Sequence, residues 1–499
     1  MKPTDDDAGP ETGGVATARP EDENLPVTST FAYGFQHVLS MYGGIIAVPL
    51  IVGQAAGLSA GDIGILIAAA LFVGGLATLL QTLGVPLLGC RLPLVQGVSF
   101  SGVATMVAIV SDGGGLSAVY GAIIVAAAVG LLIAPVFAKI VRFFPPVVTG
   151  SVITTIGLSL MPVAANWAMG GNKTAPDYGS VSNLTLAAVT LALVLVLSKV
   201  GVAAISRLSI LLAIVLGTLV AVAVGKTDFS KVDDGAIVAF PTPFHLGAPT
   251  FDVAAIVGML IVMLVILTET MADILAVGEI IGTKTDSRRI AAGLRADMAS
   301  SLVAPVFGSF PQSAFAQNVG LVAVTRVKSR YVVAAGGLIL VLLGLLPVLG
   351  RVVAAVPTAV LGGAGIVLFG TVAASGIRTL AKVEYRDNMN LIIVATSIGF
   401  GMIPIAAPAF YEHTPSWFGT IFHSGISSAA VMAIALNLLF NHLRPGSSRA
   451  EQPATAVTGR VVSPRDLECL VEGDRYEGGR LIDRDGIEVA RAPEGLSGH

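Results

Sequence analysis

Glu269 and Asp273 stand four residues apart inside the apolar stretch 253–279, so a helix there carries both acids on one face. No Lys or Arg lies within ten residues of Glu269 on either side. An ionisable side chain at membrane depth costs roughly 2.5–3.5 kcal/mol on insertion scales. Glu269 must therefore be protonated, paired from another segment, or turned toward a hydrated site. Two further ionisable groups fall in apolar stretches: His37, directly after Gln36, and Asp297. Asp297 is near Arg288, Arg289 and Arg295, so a structural ion pair and a functional acid are both open readings. For His37 the alternatives are a helix–helix hydrogen bond and a role in a site.

Amides supply the second kind of chemistry. The stretch Phe310-Pro311-Gln312-Ser313-Ala314-Phe315-Ala316-Gln317-Asn318-Val319-Gly320 places two adjacent amides, Gln317 and Asn318, between a proline and a glycine that discourage a continuous helix. Leu92-Pro93-Leu94-Val95-Gln96-Gly97-Val98-Ser99-Phe100 has the same habit. Irregular backbone at membrane depth is tolerated only where protein buries it or it lines a cavity. Both stretches therefore read as short extended segments leading into half-helices, whose first N–H groups face a ligand. A carboxylate acceptor (Glu269), an amide that donates and accepts (Gln317), backbone N–H donors and an aromatic face (Phe100) suit a planar heterocycle bearing N–H and C=O groups. A bulky, flexible or strongly cationic ligand suits them poorly.

The elements that must position these groups are membrane spans. Hydrophobic residues make up 54% of the 499-residue chain and charged residues 12%, against about 25% charged in soluble domains. Apolar runs give fourteen segments, with cores at 29–52, 62–83, 92–110, 116–137, 146–166, 183–198, 207–225, 253–279, 290–307, 311–325, 331–350, 354–375, 388–405 and 418–442. With the N-terminus inside, the basic residues of the connections collect on the cytoplasmic side, and only Lys173, Lys226, Lys231 and Arg351 fall opposite. Both termini are then cytoplasmic. Pro145-x4-Gly150 opens the fifth segment and Pro357-x4-Gly362 the twelfth, from opposite sides of the membrane. Together with the interrupted third and tenth segments, this points to seven plus seven spans in an inverted repeat, 28–226 and 253–443. The expected fold class is an all-α polytopic membrane protein with short extended stretches in segments three and ten.

The ends read differently. Residues 1–27 are polar and acidic, without the apolar core of a signal peptide, and are expected to form a disordered cytoplasmic tail. Residues 444–499 form a polar C-terminal tail, also expected to be largely disordered and cytoplasmic. Cys90 and Cys469 lie in unlike surroundings, which argues against a disulfide. A net charge of −3 gives no sign of a nucleic-acid partner. No metal-ligand spacing, Walker motif or nucleophile–base pair appears, which speaks against an enzyme, a metal or cofactor, and ATP-driven transport.

The motifs resemble those of the nucleobase–ascorbate transporters. That family's signature, Gln/Glu/Pro-Asn-x-Gly-x4-Thr-Arg/Lys/Gly, is met in full by Gln317-Asn318-Val319-Gly320-Leu321-Val322-Ala323-Val324-Thr325-Arg326. Gln36-His37 resembles its first-span pair, Ser99-Phe100 its third-span pair, and Asp297 its ninth-span acid. Glu269-Thr270-Met271-Ala272-Asp273 resembles its acidic motif, with Ala272 in place of the common glycine. The similarity runs over residues 28–443. It implies a core domain of spans 1–4 and 8–11, a gate domain of spans 5–7 and 12–14, a homodimer in the cell membrane, and elevator-like movement of core against gate. It implies that Glu269 and Gln317 hydrogen-bond the base, and that Ser99 and Phe100 line the site through backbone N–H and ring. Asn318 would support the turn, while His37, Asp273 and Asp297 would position the site or couple protons. Glutamine at the first signature position is typical of members taking xanthine or uric acid. The expectation is proton-coupled uptake of an oxopurine. A uracil-type permease, distinguished by uracil competition, and an anion exchanger or channel, indifferent to a proton gradient, are the alternatives.

Overall fold

The computed structural model describes residues 19–137, 144–200, 205–206, 208–227, 229–230, 232, 236–385, 389–415, 418, 422–442, 475–477 and 480–482. Most of both expected tails, with Cys469, and the connections holding Lys139, Arg142, Arg207, Lys231 and Arg386 fall outside the described residues. The chain divides into two compact units, Met1–Glu451 and Gln452–His499. In the second, strands Arg475–Glu477 and Arg480–Ile482 pair antiparallel, where the sequence led us to expect only a polar tail.

In the first unit, helices α1 (Val27–Ala55) and α2 (Ala60–Leu83) precede strand β1 (Gln96–Val98), α3 (Val103–Ile109) and α4 (Gly115–Ile133). Next come α5 (Pro146–Ser159), α6 (Met161–Ala168), α7 (Val181–Lys199) and α8 (Ser209–Ala223). The later half holds α9 (Val253–Ile281), α10 (Ser287–Val303), β2 (Gln312–Ala314) and α11 (Ala316–Thr325). It closes with α12 (Arg330–Gly344), α13 (Pro347–Ala354), α14 (Thr358–Leu380), α15 (Met389–Ala406) and α16 (Gly425–Asn437). Side-chain caps set several starts: Ser59 Oγ accepts from Asp62 N, Asp252 from Ala255 N, and Asp286 from Arg289 N.

Among the described residues, nine helical stretches are long and apolar enough to cross a membrane, ten if α12 and α13, bent by 79°, make one span. Each of the fourteen apolar segments carries helix, but they are unequal: α8, α11 and α16 have 15, 10 and 13 residues, short of the ~20 of a full span. Phe100–Val136 would run 37 residues as one helix, about 55 Å at 1.5 Å per residue and far beyond the ~30 Å hydrocarbon core. Gly113 and Gly115, at φ 91° and 62°, break it, conformations that glycine adopts without a Cβ penalty.

The two strands come from segments three and ten and pair antiparallel, with Gln96 opposite Ala314 and Val98 opposite Gln312. Their ends are tied by Ser99 N to Pro311 O at 2.8 Å and Phe315 N to Val95 O at 3.1 Å. Around this crossing, α2 packs along α12, α1 packs on both, and α9 lies against α4 and α11. A second cluster of contacts joins α14 to α5, α6, α7 and α8.

Part of the expected N-terminal tail is built into the fold. Glu21 is 1% exposed and pairs with Arg289 at 2.6 Å, and Asp22 pairs with Arg330 at 2.7 Å. Arg289 also donates to Cys90 O, and Arg330 to Thr82 O, so this short segment clasps the ends of α2, α10 and α12. Composition alone misses such a clasp because acidic residues read as solvated until their cationic partners are known. At the other end of the molecule, Arg351 donates to Val232 O and Ala236 O. Lys226 hydrogen-bonds Asp177 there and holds its exposed carboxyl below the usual range.

Helices α5 and α14 run against each other at glycines. A Cβ at Gly376 would meet Thr154 N and lie 2.8 Å from Gly150 O, backbone atoms that cannot swing aside. Gly399 on α15 has open space around it. Gly376→Ala is therefore expected to destabilise by about 1–3 kcal/mol through overpacking, lowering the melting temperature in detergent, while Gly399→Ala leaves it unchanged or higher. Equal melting temperatures for the two variants would contradict this packing.

Candidate functional site

The strand crossing organises the polar residues at the centre of the first unit. From β1 the chain turns through Ser99, Phe100 and Ser101 into α3. From β2 it passes Phe315 into α11, whose first turn holds Ala316, Gln317 and Asn318. The first N–H groups of a helix have no intrahelical acceptor, so those of Ala316 and Gln317 at the start of α11 depend on partners from outside it. Not every such group is available. The N–H of Ser99 is engaged by Pro311 O, which corrects the expectation that it faces a ligand. Ser99 Oγ instead accepts from Ser101 N at 3.2 Å.

Helix α9 brings the acids to this point. Glu269 is half-buried, and Ser101 Oγ lies 2.7 and 2.8 Å from its two carboxylate oxygens. Asp273, one turn on, is also half-buried, with Glu269, Asp297 and Arg378 as charged neighbours. Between them Thr270 faces the other way, its hydroxyl donating to Asp297 and accepting from Ala314 N at 3.2 Å. Asp297 is fully buried and takes a second bond from Gln81 Nε2 at 3.3 Å. Among the described residues no arginine hydrogen-bonds it, and its partners are a threonine and a glutamine in place of an ion pair. Arg289 is occupied by Glu21 and backbone carbonyls instead.

His37 and Asn318 form a separate joint between α1 and α11. Asn318 Nδ2 lies 3.1 Å from His37 Nδ1 and donates to His37 O at 3.0 Å. Both residues are buried. Gln317, the neighbour of Asn318, is exposed on the same first turn. Thus Ser99, Phe100, Glu269 and Asp297 gather around the crossing, while His37 on α1 braces α11 through Asn318. Gln317 and Asp273 make no side-chain hydrogen bond among the described residues.

On one side of the crossing the packing is closed. Phe100 meets Phe369 of α14 edge-on at 6.2 Å, and Phe369 meets Trp167 of α6 at 6.1 Å. Trp167 Nε1 donates to Gln54 Oε1 of α1 at 2.6 Å, and Thr105 on α3 shares a hydrogen bond with Ser424 before α16 at 2.9 Å. Toward the other side, Gln317, Gly320 and Ala272 are exposed. The apolar cleft lined by Ile46, Trp167, Ile210, Leu361 and Leu368 lies apart from these polar groups.

The sequence motifs did not single out Ser101, Thr270, Gln81 or Ser313 for roles, although all take part in this network. Their signal was a hydroxyl or amide within an apolar segment, too common in membrane helices to stand out without knowing which acid it meets. Among the described residues no group of His, Cys, Asp and Glu is arranged to hold a metal ion.

Comparison with known proteins agrees with this architecture. Residues 28–410 match the model of the Permease family. The uric acid transporter UacT of Escherichia coli is 41% identical, over 85% of this chain and 89% of its own. The xanthine permease of Bacillus subtilis is 40% identical, over 83% and 94%. Among solved structures, the murine Slc26a9 anion transporter in the inward-facing state shares the fold at a TM-score of 0.58, with 13% identity over 84% of this chain and 69% of its own. A mostly helical membrane fold, a full family signature at the strand crossing and family-level identity along the chain converge, and the chain belongs to the permease family of nucleobase–ascorbate transporters, a transporter and not an enzyme.

Proposed function

We propose that the chain takes up an oxopurine nucleobase, xanthine or uric acid, together with protons. The observation that carries this reading is Glu269: a half-buried carboxylate with no cationic hydrogen-bond partner among the described residues, at a crossing where Gln317 stands exposed. A carboxylate accepts an N–H from one edge of a purine, and a glutamine amide pairs with an adjacent N–H and C=O on another. Relatives named for uric acid and xanthine support the same substrate class. Phe100 supplies a ring face, and His37, Asn318, Asp273 and Asp297 position the two half-helices or pass protons. Glu269 is the group whose proton affinity responds to the base, because burial and hydrogen bonding act on a carboxylate in opposite senses.

Transport requires two arrangements of the membrane part. We take the chain to cross the cell membrane fourteen times in two inverted repeats, with spans 1–4 and 8–11 as a core sliding against a gate of the remaining spans. Support comes from the antiparallel β1–β2 pair and from α5 and α14, which begin after Pro145 and Pro357 and pack against each other. The clustering of Arg289 and Arg330 with Cys90 and Thr82 at one end favours that end as cytoplasmic, and with it both termini. A homodimer is part of the same reading.

Labelled xanthine uptake into proteoliposomes tests the function directly. An inward proton gradient should stimulate accumulation, with uric acid competing better than uracil; indifference to the gradient would remove the symport mechanism. Glu269→Ala should abolish uptake while the protein remains in the membrane, whereas an exchanger on the same fold would tolerate it. Gln317→Glu should weaken oxopurine uptake by about tenfold, the scale set by losing one well-made hydrogen bond in a polar site. Unchanged selectivity in that variant would contradict the role given to Gln317.

A further inference from the structure

Ser101 has no role in the reading above, yet it makes the closest contact with its central acid. Its hydroxyl is nearly equidistant from the two oxygens of Glu269, at 2.7 and 2.8 Å. The residue is 1% exposed, and its position is fixed on both sides. Ser101 N donates to Ser99 Oγ, and Ser99 N donates to Pro311 O across the strand crossing. The hydroxyl is thus held against the carboxylate by the same backbone pairing that shapes the site.

We propose that Ser101 is a specificity-determining residue: by bridging both oxygens of Glu269 it blocks the carboxylate's two-pronged edge and leaves a place for a single N–H donor. The proposal rests on the reading that Glu269 contacts the base. A free carboxylate accepts two parallel N–H bonds from a forked donor, one on each oxygen. A hydroxyl between the oxygens occupies the lone pairs that such a fork uses, while the outer lone pair of each oxygen stays open. Xanthine alternates N–H with C=O along its six-membered ring, and that edge offers Glu269 one donor at a time. Guanine presents a ring N–H beside an exocyclic amino group, the forked pattern that Ser101 excludes. Without the hydroxyl those lone pairs are released, and the carboxylate can turn them to both donors.

Competition against labelled xanthine uptake in proteoliposomes separates this role from simple packing. The quantity read is the ratio of half-inhibiting concentrations of guanine and unlabelled xanthine in wild type, Ser101→Ala and Ser101→Thr. Guanine should compete poorly in wild type, the ratio should fall by about tenfold in Ser101→Ala, the scale of one hydrogen bond to a charged group, and Ser101→Thr should keep the wild-type ratio. A merely structural hydroxyl would weaken all bases alike and leave the ratio where it was, which overturns the proposal. So does a wild type that accepts guanine as readily as xanthine. If Ser101→Ala does not transport, the ratio is read from equilibrium binding to the purified Ala and Gly variants, and constancy there counts equally against it. A wild type that takes up no xanthine at all refutes the functional reading and is seen before any variant is compared.

Discussion

A peptide group at membrane depth has no water to bond with, and an unpaired one costs several kcal/mol. The site depends on how this chain meets that constraint at two places where it abandons the helix. Gln96–Val98 and Gln312–Ala314 are three residues each, too short to stand as a sheet, and each supplies the other's hydrogen bonds. Side chains complete the pairing: Thr78 Oγ1 accepts from Gln96 N, Ser301 Oγ from Gln312 N, and Thr270 Oγ1 from Ala314 N. The crossing therefore ties α2, α9 and α10 together. Any shift of one strand would part its buried N–H groups from acceptors on several helices at once, so the two half-helix ends are held in fixed relation.

The acids divide between holding this crossing and facing out of it. Asp297 is sealed from solvent, with Thr270 and Gln81 as its partners, and Thr270 passes the connection on to β2. It is an internal support. Glu269, adjacent to Thr270 in sequence, points to a different side of α9, where the Ser101 hydroxyl is its hydrogen-bond partner among the described residues. One helical turn thus serves both tasks, because neighbouring residues on a helix face directions about 100° apart. The buried pair His37–Asn318 does for α11 what Asp297 does for β2.

The surroundings of the crossing are uneven. Toward Gln54 and Trp167 the aromatic contacts and the Thr105–Ser424 hydrogen bond join α1 and α3 to α6, α14 and α16. Trp167, Leu361 and Phe369 also join one continuous apolar cluster with Ile46, Leu50 and Met106 here, so this side is packed as well as hydrogen-bonded. Ala272, Gln317 and Gly320, by contrast, are exposed. At the N-terminal segment, the Glu21–Arg289 and Asp22–Arg330 pairs fasten the chain before α1 to α10 and α12.

Residue types along the chain determined a good deal by themselves. An apolar segment cannot hide an acid, so Glu269, Asp273 and Asp297 were visible as expensive groups, and proline with glycine at membrane depth marked both places where the helix fails. The signature through Gln317 and Asn318 carried the family. What the sequence could not state was which polar group meets which. Asp297 lies near three arginines in sequence but bonds to a threonine 27 residues away and a glutamine 216 residues away. The acidic run before α1 read as a tail until Arg289 and Arg330 arrived beside it, and Ser99 appeared to offer an N–H that Pro311 had already taken. Apolar periodicity and transfer cost act residue by residue and are legible in order along the chain. Hydrogen bonds and ion pairs need two partners at about 3 Å, and only the packing of distant segments decides which partners those are.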